Sequence, residues 1–392
     1  MSSSAWSQFA PFGTVQLGGN QAFFDGKPSS LGGYANLSFV PALRLSPRTS
    51  LIPRVQAGYQ GINSYSQVID EGSLLQQQMN SLAALKYIYK LSEQSKLKTE
   101  FTGKHQWLKE ANNEPWGKGL YDYRYYGLSG EWEHRGSILK NRLGLTFSVL
   151  RYPNYQSLSS AVGLELGGKD TLDTNDIMAF YALELPGDKQ TFKGSLNFET
   201  YAYTDQKLID SQGAFIAEKR LDKLATFRLG YSRYLEGRVL DWWSERPSEQ
   251  TILGLDVYSK LKLSNQNHYD VEQLAFIAGF YDYITVGFSP SLAGRIAALD
   301  LILQLYYDLS LRRYFNRPIQ DADSGLYQGA KLRQTTHMLG VNLKYPLTWW
   351  LNGLMAEAAA GANISGSNMK YEKLYRYNYS SFSYQMGLRY DF

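Results

Sequence analysis

The chain has 392 residues, of which 44% are hydrophobic, 15% aromatic and only 19% charged, with a formal net charge of +4. So mild and scattered a positive charge excludes a dedicated nucleic-acid surface. The absence of cysteine excludes disulfide scaffolds, thiolate zinc sites and cysteine nucleophiles.

No apolar run reaches the ~18 residues of a transmembrane helix. "MSSSAWSQFA" also lacks the basic start and apolar core of a signal peptide. Residues 1–10 therefore read as a short N-terminal periplasmic segment, and 11–392 as one domain. From residue 12 onward the apolar residues recur with period two, the mark of a strand with one polar and one apolar face. In "YANLSFVPALRLS", Ala35, Leu37, Phe39, Pro41, Leu43 and Leu45 share a face, with Asn36, Ser38 and Arg44 opposite. In "TFKGSLNFETYAY", Phe192, Leu196 and Phe198 alternate with Lys193, Ser195, Asn197 and Glu199. In "TILGLDVYSKLKL", Leu253, Leu255, Val257 and Leu261 alternate with Asp256, Tyr258, Lys260 and Lys262. The cleanest case is "LDLILQLYYDLSLRR", where leucines and Tyr307 oppose Asp300, Gln304, Asp308 and Arg312.

About sixteen such segments follow one another, within a range of 14–18. They lie near 12–24, 34–46, 51–64, 79–92, 96–109, 122–134, 140–152 and 176–185. The rest lie near 190–204, 221–235, 250–263, 269–287, 295–315, 332–345, 348–363 and 375–392. Many have the ~9–11 residues that a membrane-spanning strand needs. Short connectors (46–50, 92–95, 134–138, 186–190, 289–294, 345–348) alternate with long polar ones (65–78, 110–121, 153–175, 205–220, 316–331, 364–374). The sequence predicts an all-β fold, a transmembrane antiparallel β-barrel with short periplasmic turns and long extracellular loops. The exception is "EGRVLDWWSERPSEQ" (236–250), long where a short turn is due; it is either a missed strand pair or a periplasmic excursion.

Period two alone also fits a soluble sandwich with its apolar face inward. Strand number and length, and small polar groups among the charges, place lipid outside instead. Trp107, Trp132, Tyr152, Trp349 and Trp350 stand near segment ends, where amphipathic rings meet the membrane boundary. The candidate functional residues are charges in the lumen phase, because a Lys or Arg facing lipid at mid-depth costs ~2–4 kcal/mol. They are Lys98, Lys104, Arg142, Lys193, Arg228, Lys260, Lys262, Arg312, Lys344 and Arg389, with Glu100, Glu199, Asp256, Asp300, Asp308 and Glu357. Ten bases against six acids lean toward anions. The alternative is that opposite charges pair across strands and plug the lumen.

The final stretch "QMGLRYDF" resembles the terminal signal of bacterial outer-membrane β-barrels. Gln385, Gly387, Tyr390 and Phe392 occupy its fixed places. The resemblance implies the bacterial outer membrane with its lipid and lipopolysaccharide, and insertion by the barrel assembly machinery. The last hairpin is also similar to that of porin-like and envelope-export barrels, some of which follow a periplasmic repeat region; a periplasmic partner or such a region is the implied partner.

No cofactor or metal is called for, and an enzyme is not expected. His105 and His337 fall in the outward phase, and His134 and His268 near connectors, with no serine and orienting group marked beside them. Asp321, Asp323 and Gly325 resemble only the start of a calcium loop, and Asp170, Asp173 and Asp176 read likewise as acids of an external loop. The functional expectation is an outer-membrane pore for hydrophilic solutes or an exported polymer. The rivals are a plugged barrel anchoring an envelope-spanning secretion, export or motility complex, and a surface receptor using its long loops.

Overall fold

The computed structural model describes residues 8–65, 73–109, 114–155, 168–235, 251–373 and 375–392. In chain order the strands are β1 (Gln8–Ala10), β2 (Gly13–Phe24), β3 (Lys27–Phe39), β4 (Ala42–Ser46), β5 (Thr49–Tyr65), β6 (Ser73–Lys90) and β7 (Ser95–Lys109). Next come β8 (Tyr123–Arg135), β9 (Lys140–Arg151), β10 (Thr174–Pro186), β11 (Gln190–Ile209), β12 (Phe215–Leu235) and β13 (Thr251–Ser264). The rest are β14 (His268–Asp270), β15 (Ala275–Ile277), β16 (Tyr283–Ile296), β17 (Leu301–Gln320), β18 (Tyr327–Pro346), β19 (Leu354–Ser367) and β20 (Tyr379–Asp391). β14 and β15 pair with each other in a loop, and β1 and β4 pair at one rim. The other sixteen strands form the wall, each antiparallel to its neighbour, and β20 pairs with β2 to close the ring. Closure leaves no free edge, which a sheet in hydrocarbon requires.

The burial pattern is inverted relative to a water-soluble protein. Leu17, Val55, Phe101, Leu128, Leu145, Phe198, Leu229 and Leu388 are all exposed, Leu128 by 59%. Register places them all in the outward phase, while ion pairs and amide side chains fill the inward one. A buried apolar cluster among the described residues, Tyr314, Ile319, Leu332, Met369 and Tyr377, lies at the long-loop rim and not in the middle of the wall. An outward apolar belt is stable only where hydrocarbon, not water, surrounds it.

Three expectations need correction. The predicted strand 269–287 is displaced: the wall strand is β16, Tyr283–Ile296. "SPSLAG" therefore lies inside a strand. Its proline is tolerated because Pro290 sits where the β16–β17 ladder skips two positions, between Phe288↔Leu309 and Ser291↔Tyr306. The turn falls instead at 297–300, with Asp300 at φ 53. Second, much of the predicted loops 205–220 and 316–331 is strand: β11–β12 and β17–β18 continue, through register shifts, to turns at 210–214 and 321–326. Third, β19 begins at Leu354 rather than 348, so Trp349 and Trp350 occupy a turn. The long-loop rim also carries one of the tightest turns, Asp25–Gly26, with φ 48 and 78, as a two-residue hairpin of the I′ kind demands. Segment 236–250 lies outside the described residues. Its flanking strands pair directly, Leu235 opposite Thr251, so no wall strand separates them.

Candidate functional site

Strand pairing fixes which side chains share the inner face. Lys98, Glu100 and Lys104 on β7 fall in one phase with Arg142 on β9, Lys193 and Glu199 on β11, and Arg228 on β12. Asp256, Lys260 and Lys262 on β13, Asp308 and Arg312 on β17, Lys344, Glu357 and Arg389 continue that phase. Asp300 does not: it lies in the turn after β16, bonded to Arg295. Leu299 precedes it there, so the alternation read from "LDLILQ" begins two residues too early.

Some of these charges are paired. Glu100 accepts from Arg54 at 3.1 Å and meets Lys86 at 3.2 Å. Lys98 reaches Glu131 and Glu133, each at 2.6 Å. Glu357 meets Lys344 at 3.2 Å and Arg389 at 3.7 Å, and accepts from Gln16 at 2.7 Å. Asp222, almost fully buried, holds Arg220 at 2.7 Å and Lys262 at 2.9 Å. Each pair joins strands at most two apart, so these bonds brace the wall along its surface and do not bridge the lumen. Arg54, Lys86, Glu131, Glu133, Arg220 and Asp222 were not among the candidates, although the same alternation puts them in the lumen phase.

Other charges have no opposite charge within 4.0 Å among the described residues: Lys104, Arg142, Lys193, Arg228, Lys260 and Arg312, with Glu199, Asp256 and Asp308. Arg312 donates to Thr285 at 3.2 Å and lies over the Tyr283 ring at 4.5 Å. Asp308 accepts from the Tyr258 hydroxyl at 3.1 Å, and Glu199 from Tyr201. Across the lumen, beside the Lys344–Glu357–Arg389 cluster, runs a neutral stretch: Gln16, Tyr34, Asn36, Gln60, Asn80 and Gln385 line a cavity there of about 230 Å³.

At the long-loop rim aromatic rings gather around one cation. The Arg317 guanidinium lies over the rings of Phe280, Tyr314 and Tyr377, at 4.5, 5.3 and 5.6 Å. His268 stacks on Phe280 at 4.4 Å, and its Nε2 is 3.2 Å from the Tyr327 hydroxyl. Burial lowers the His268 pKa; Asp270 opposes this and Arg317 adds to it. A histidine whose pKa is depressed by folding favours the folded state fully above its ordinary value of ~6.5 and loses that support as pH falls below it. Protection factors over 268–280, taken relative to the intrinsic exchange rate at each pH, are therefore expected to fall between pH 7.5 and 5, and His268→Gln to flatten the change. Equal protection factors at both pH values in the parent protein would refute this.

Among the predicted interfacial rings, Trp107 and Trp132 stand in the outward phase, Trp107 tilted against His105 at 4.7 Å and Trp132 stacked on His134 at 5.6 Å. Trp349 and Trp350 project from their turn, 76% and 68% exposed. Tyr152 is a correction: it packs on Tyr123, a lumen-phase ring, at 5.7 Å. His337 faces outward and bonds Tyr307 at 2.7 Å. Ser95 Oγ lies 2.8 Å from His134 Nδ1, but among the described residues no carboxylate bonds that ring, so the third, orienting group of nucleophilic catalysis is missing. Asp321 closes its turn by accepting from the N–H groups of Asp323 and Ser324, which hold its carboxyl below the ordinary range. Asp173 accepts from the Tyr152 N–H, with Asp170 one turn away and Asp176 in β10. No group of three or more metal-binding side chains occurs among the described residues.

No protein-family model and no curated protein matches the chain. Solved structures do. In-vitro folded OmpT, an outer membrane protein of Vibrio cholerae, is 12% identical, with a TM-score of 0.50 over 100% of this chain and 99% of that one. Acinetobacter baumannii OccAB3 is 9% identical, TM-score 0.49, covering 98% and 99%. Pseudomonas aeruginosa OccK7 is 10% identical, TM-score 0.45, covering 99% of each. The first of these likenesses shows the fold alone, that of an outer-membrane β-barrel.

Proposed function

We propose that the chain is a pore of the bacterial outer membrane, open to hydrophilic solutes or an exported polymer. The observation that carries this is the geometry of the inner charges. Their ion pairs run along the wall, while Arg142, Lys193 and Arg228 stay exposed to solvent from inside. A barrel of about 16 strands is wide enough for an aqueous channel. In this reading the short turns face the periplasm and the long loops the exterior. Gln385, Gly387, Tyr390 and Phe392 serve the assembly machinery, and lipopolysaccharide surrounds the outer half. Stepwise conductance is expected when refolded, heat-modifiable protein is added to a planar bilayer. Silent membranes with demonstrably folded protein would sink the open pore.

The second reading is a plugged anchor for an envelope-spanning complex. The exposed Trp349–Trp350 turn at the short-turn rim favours it, because such rings suit a periplasmic partner as well as a lipid boundary. It requires a closed barrel and co-purification of a partner that a Trp349→Ser, Trp350→Ser variant loses.

A further inference from the structure

The lumen cations differ in how they are met. Arg54, Lys86, Lys98, Lys344 and Arg389 each meet a carboxylate, whereas Arg142 on β9, Lys193 on β11 and Arg228 on β12 meet none within 4.0 Å among the described residues. Arg142 and Arg228 lie on one register row, with only Ala182 and Ser195 between them: Arg142↔Ala182, Ala182↔Ser195, Ser195↔Arg228. Three strand spacings put the two backbones ~14 Å apart, and two small side chains leave the gap between the guanidiniums open. Lys193 stands one pleat away on β11, opposite Gly230, which adds no side chain. The result is a cavity of about 410 Å³ in the lumen wall, lined by these three cations.

Glu184 and Asp256 also line it. Glu184 is the cross-strand partner of Lys193, and Asp256 that of Gly230. Yet among the described residues no pair within 4.0 Å joins either acid to a cation. At Arg54, Lys86 and Lys98 the chain supplies its own counter-charge; here three cations line one open gap, and none of them touches a carboxylate among the described residues. Guanidinium forks match the two oxygens of a carboxylate or phosphate, and the low-dielectric wall strengthens their field in the gap.

We propose that Arg142, Arg228 and Lys193 form a lumen subsite for an oxyanion group, carboxylate or phosphate, on a hydrophilic solute in transit. This rests on the open-pore reading. Half-way round the barrel, the amides of Gln16, Asn36 and Gln385 offer neutral hydrogen bonds to the rest of such a solute.

Single-channel recording tests it. In a KCl gradient the reversal potential is expected to show chloride preference, which Arg142→Gln with Arg228→Gln should largely abolish. Trigalacturonate and tripolyphosphate, added separately, are the carboxylate and phosphate probes, with neutral maltotriose as the comparison. Block by either anion supports the subsite and tells which oxyanion it takes. The double variant should weaken that block about tenfold, the equivalent of one lost charged hydrogen bond. Arg142→Lys with Arg228→Lys should keep the chloride preference yet weaken the block, because a point charge lacks the fork. This variant serves also if the glutamines impair folding. Cation preference, block by neither anion, equal block by maltotriose, or block unchanged in both double variants would overturn the subsite while leaving the pore standing. Absence of any conductance would remove the pore and the subsite together.

Discussion

Gly387→Val is expected to yield protein that no longer closes into a heat-modifiable barrel. Gly387 on β20 faces Gly18 on β2 across the closing seam, in the lumen phase. A Cβ on Gly387 would stand 2.5 Å from the Leu17 carbonyl oxygen and 3.1 Å from the Gly18 Cα. Both are backbone atoms and cannot swing aside. On the other side, a Cβ on Gly18 would meet the Met386 carbonyl oxygen at 2.5 Å and the Tyr34 hydroxyl at 2.5 Å. Two facing glycines thus let the Tyr34 ring lie across the seam, an aromatic covering glycine backbone. Valine leaves one relief, separation of β2 from β20. Each unpaired amide or carbonyl then exposed to hydrocarbon costs several kcal/mol, so the loss should exceed the ~4 kcal/mol that marks exceptional substitutions. Gly387→Ala, with one methyl, should be milder. Refolding into detergent makes the test sharp: no assembly machinery is present, so a defect there is structural and separate from any address function of the same residue. Normal heat-modifiability of the valine variant would refute the seam argument.

The seam shows what a sequence of this kind discloses. Strand phase was readable because lipid imposes it: every wall strand needs an apolar outward face, and the period-two pattern records that need directly. "LDLILQLYYDLSLRR" gives its faces correctly from Leu301 to Arg312. The pattern fails where lipid stops. Beyond the belt, β11–β12 and β17–β18 keep their hydrogen-bond ladders but need no apolar face, so 205–220 and 316–331 read as polar loops. "SPSLAG" misled for the converse reason: turn-type residues sit inside a ladder that tolerates one missing donor. Pairing of charges was not readable at all. That Arg54 reaches Glu100 two strands away depends on the registers β5–β6 and β6–β7 together. That Arg142 and Arg228 share a row depends on three registers at once. Alternation says which residues enter the lumen; only the accumulated registers say which of them meet.

Asp222→Ala is expected to destabilise the barrel by about 3–5 kcal/mol, the cost of removing one partner from a buried charge cluster. Asp222 is 2% exposed. Its carboxylate accepts from Arg220 Nε at 3.0 Å and Nη2 at 2.7 Å, from Lys262 at 2.9 Å and from Ser264 Oγ at 2.5 Å. Every acceptor direction is therefore used, and two cations depend on one anion. Arg220 has no easy escape to water, because its guanidinium lies between the Tyr203 and Tyr281 rings, 4.5 and 5.2 Å from their centroids. With Asp222 gone, two positive charges would remain side by side on β12 and β13, each short of acceptors. If that residue pair is the source of the cost, removing it should recover most of the loss: Arg220→Met, Asp222→Leu and Lys262→Met together should be markedly more stable than Asp222→Ala alone, as apolar replacement of a whole buried cluster can be. Urea unfolding in detergent, followed by electrophoretic mobility, measures both. Equal stabilities would mean that the penalty comes from a packing defect at Asp222 and not from stranded charge. Because the cluster ties β12 to β13 where the wall meets the β14–β15 loop, its loss should also speed amide exchange of Asn265, whose side chain caps the Leu221 N–H at 2.7 Å.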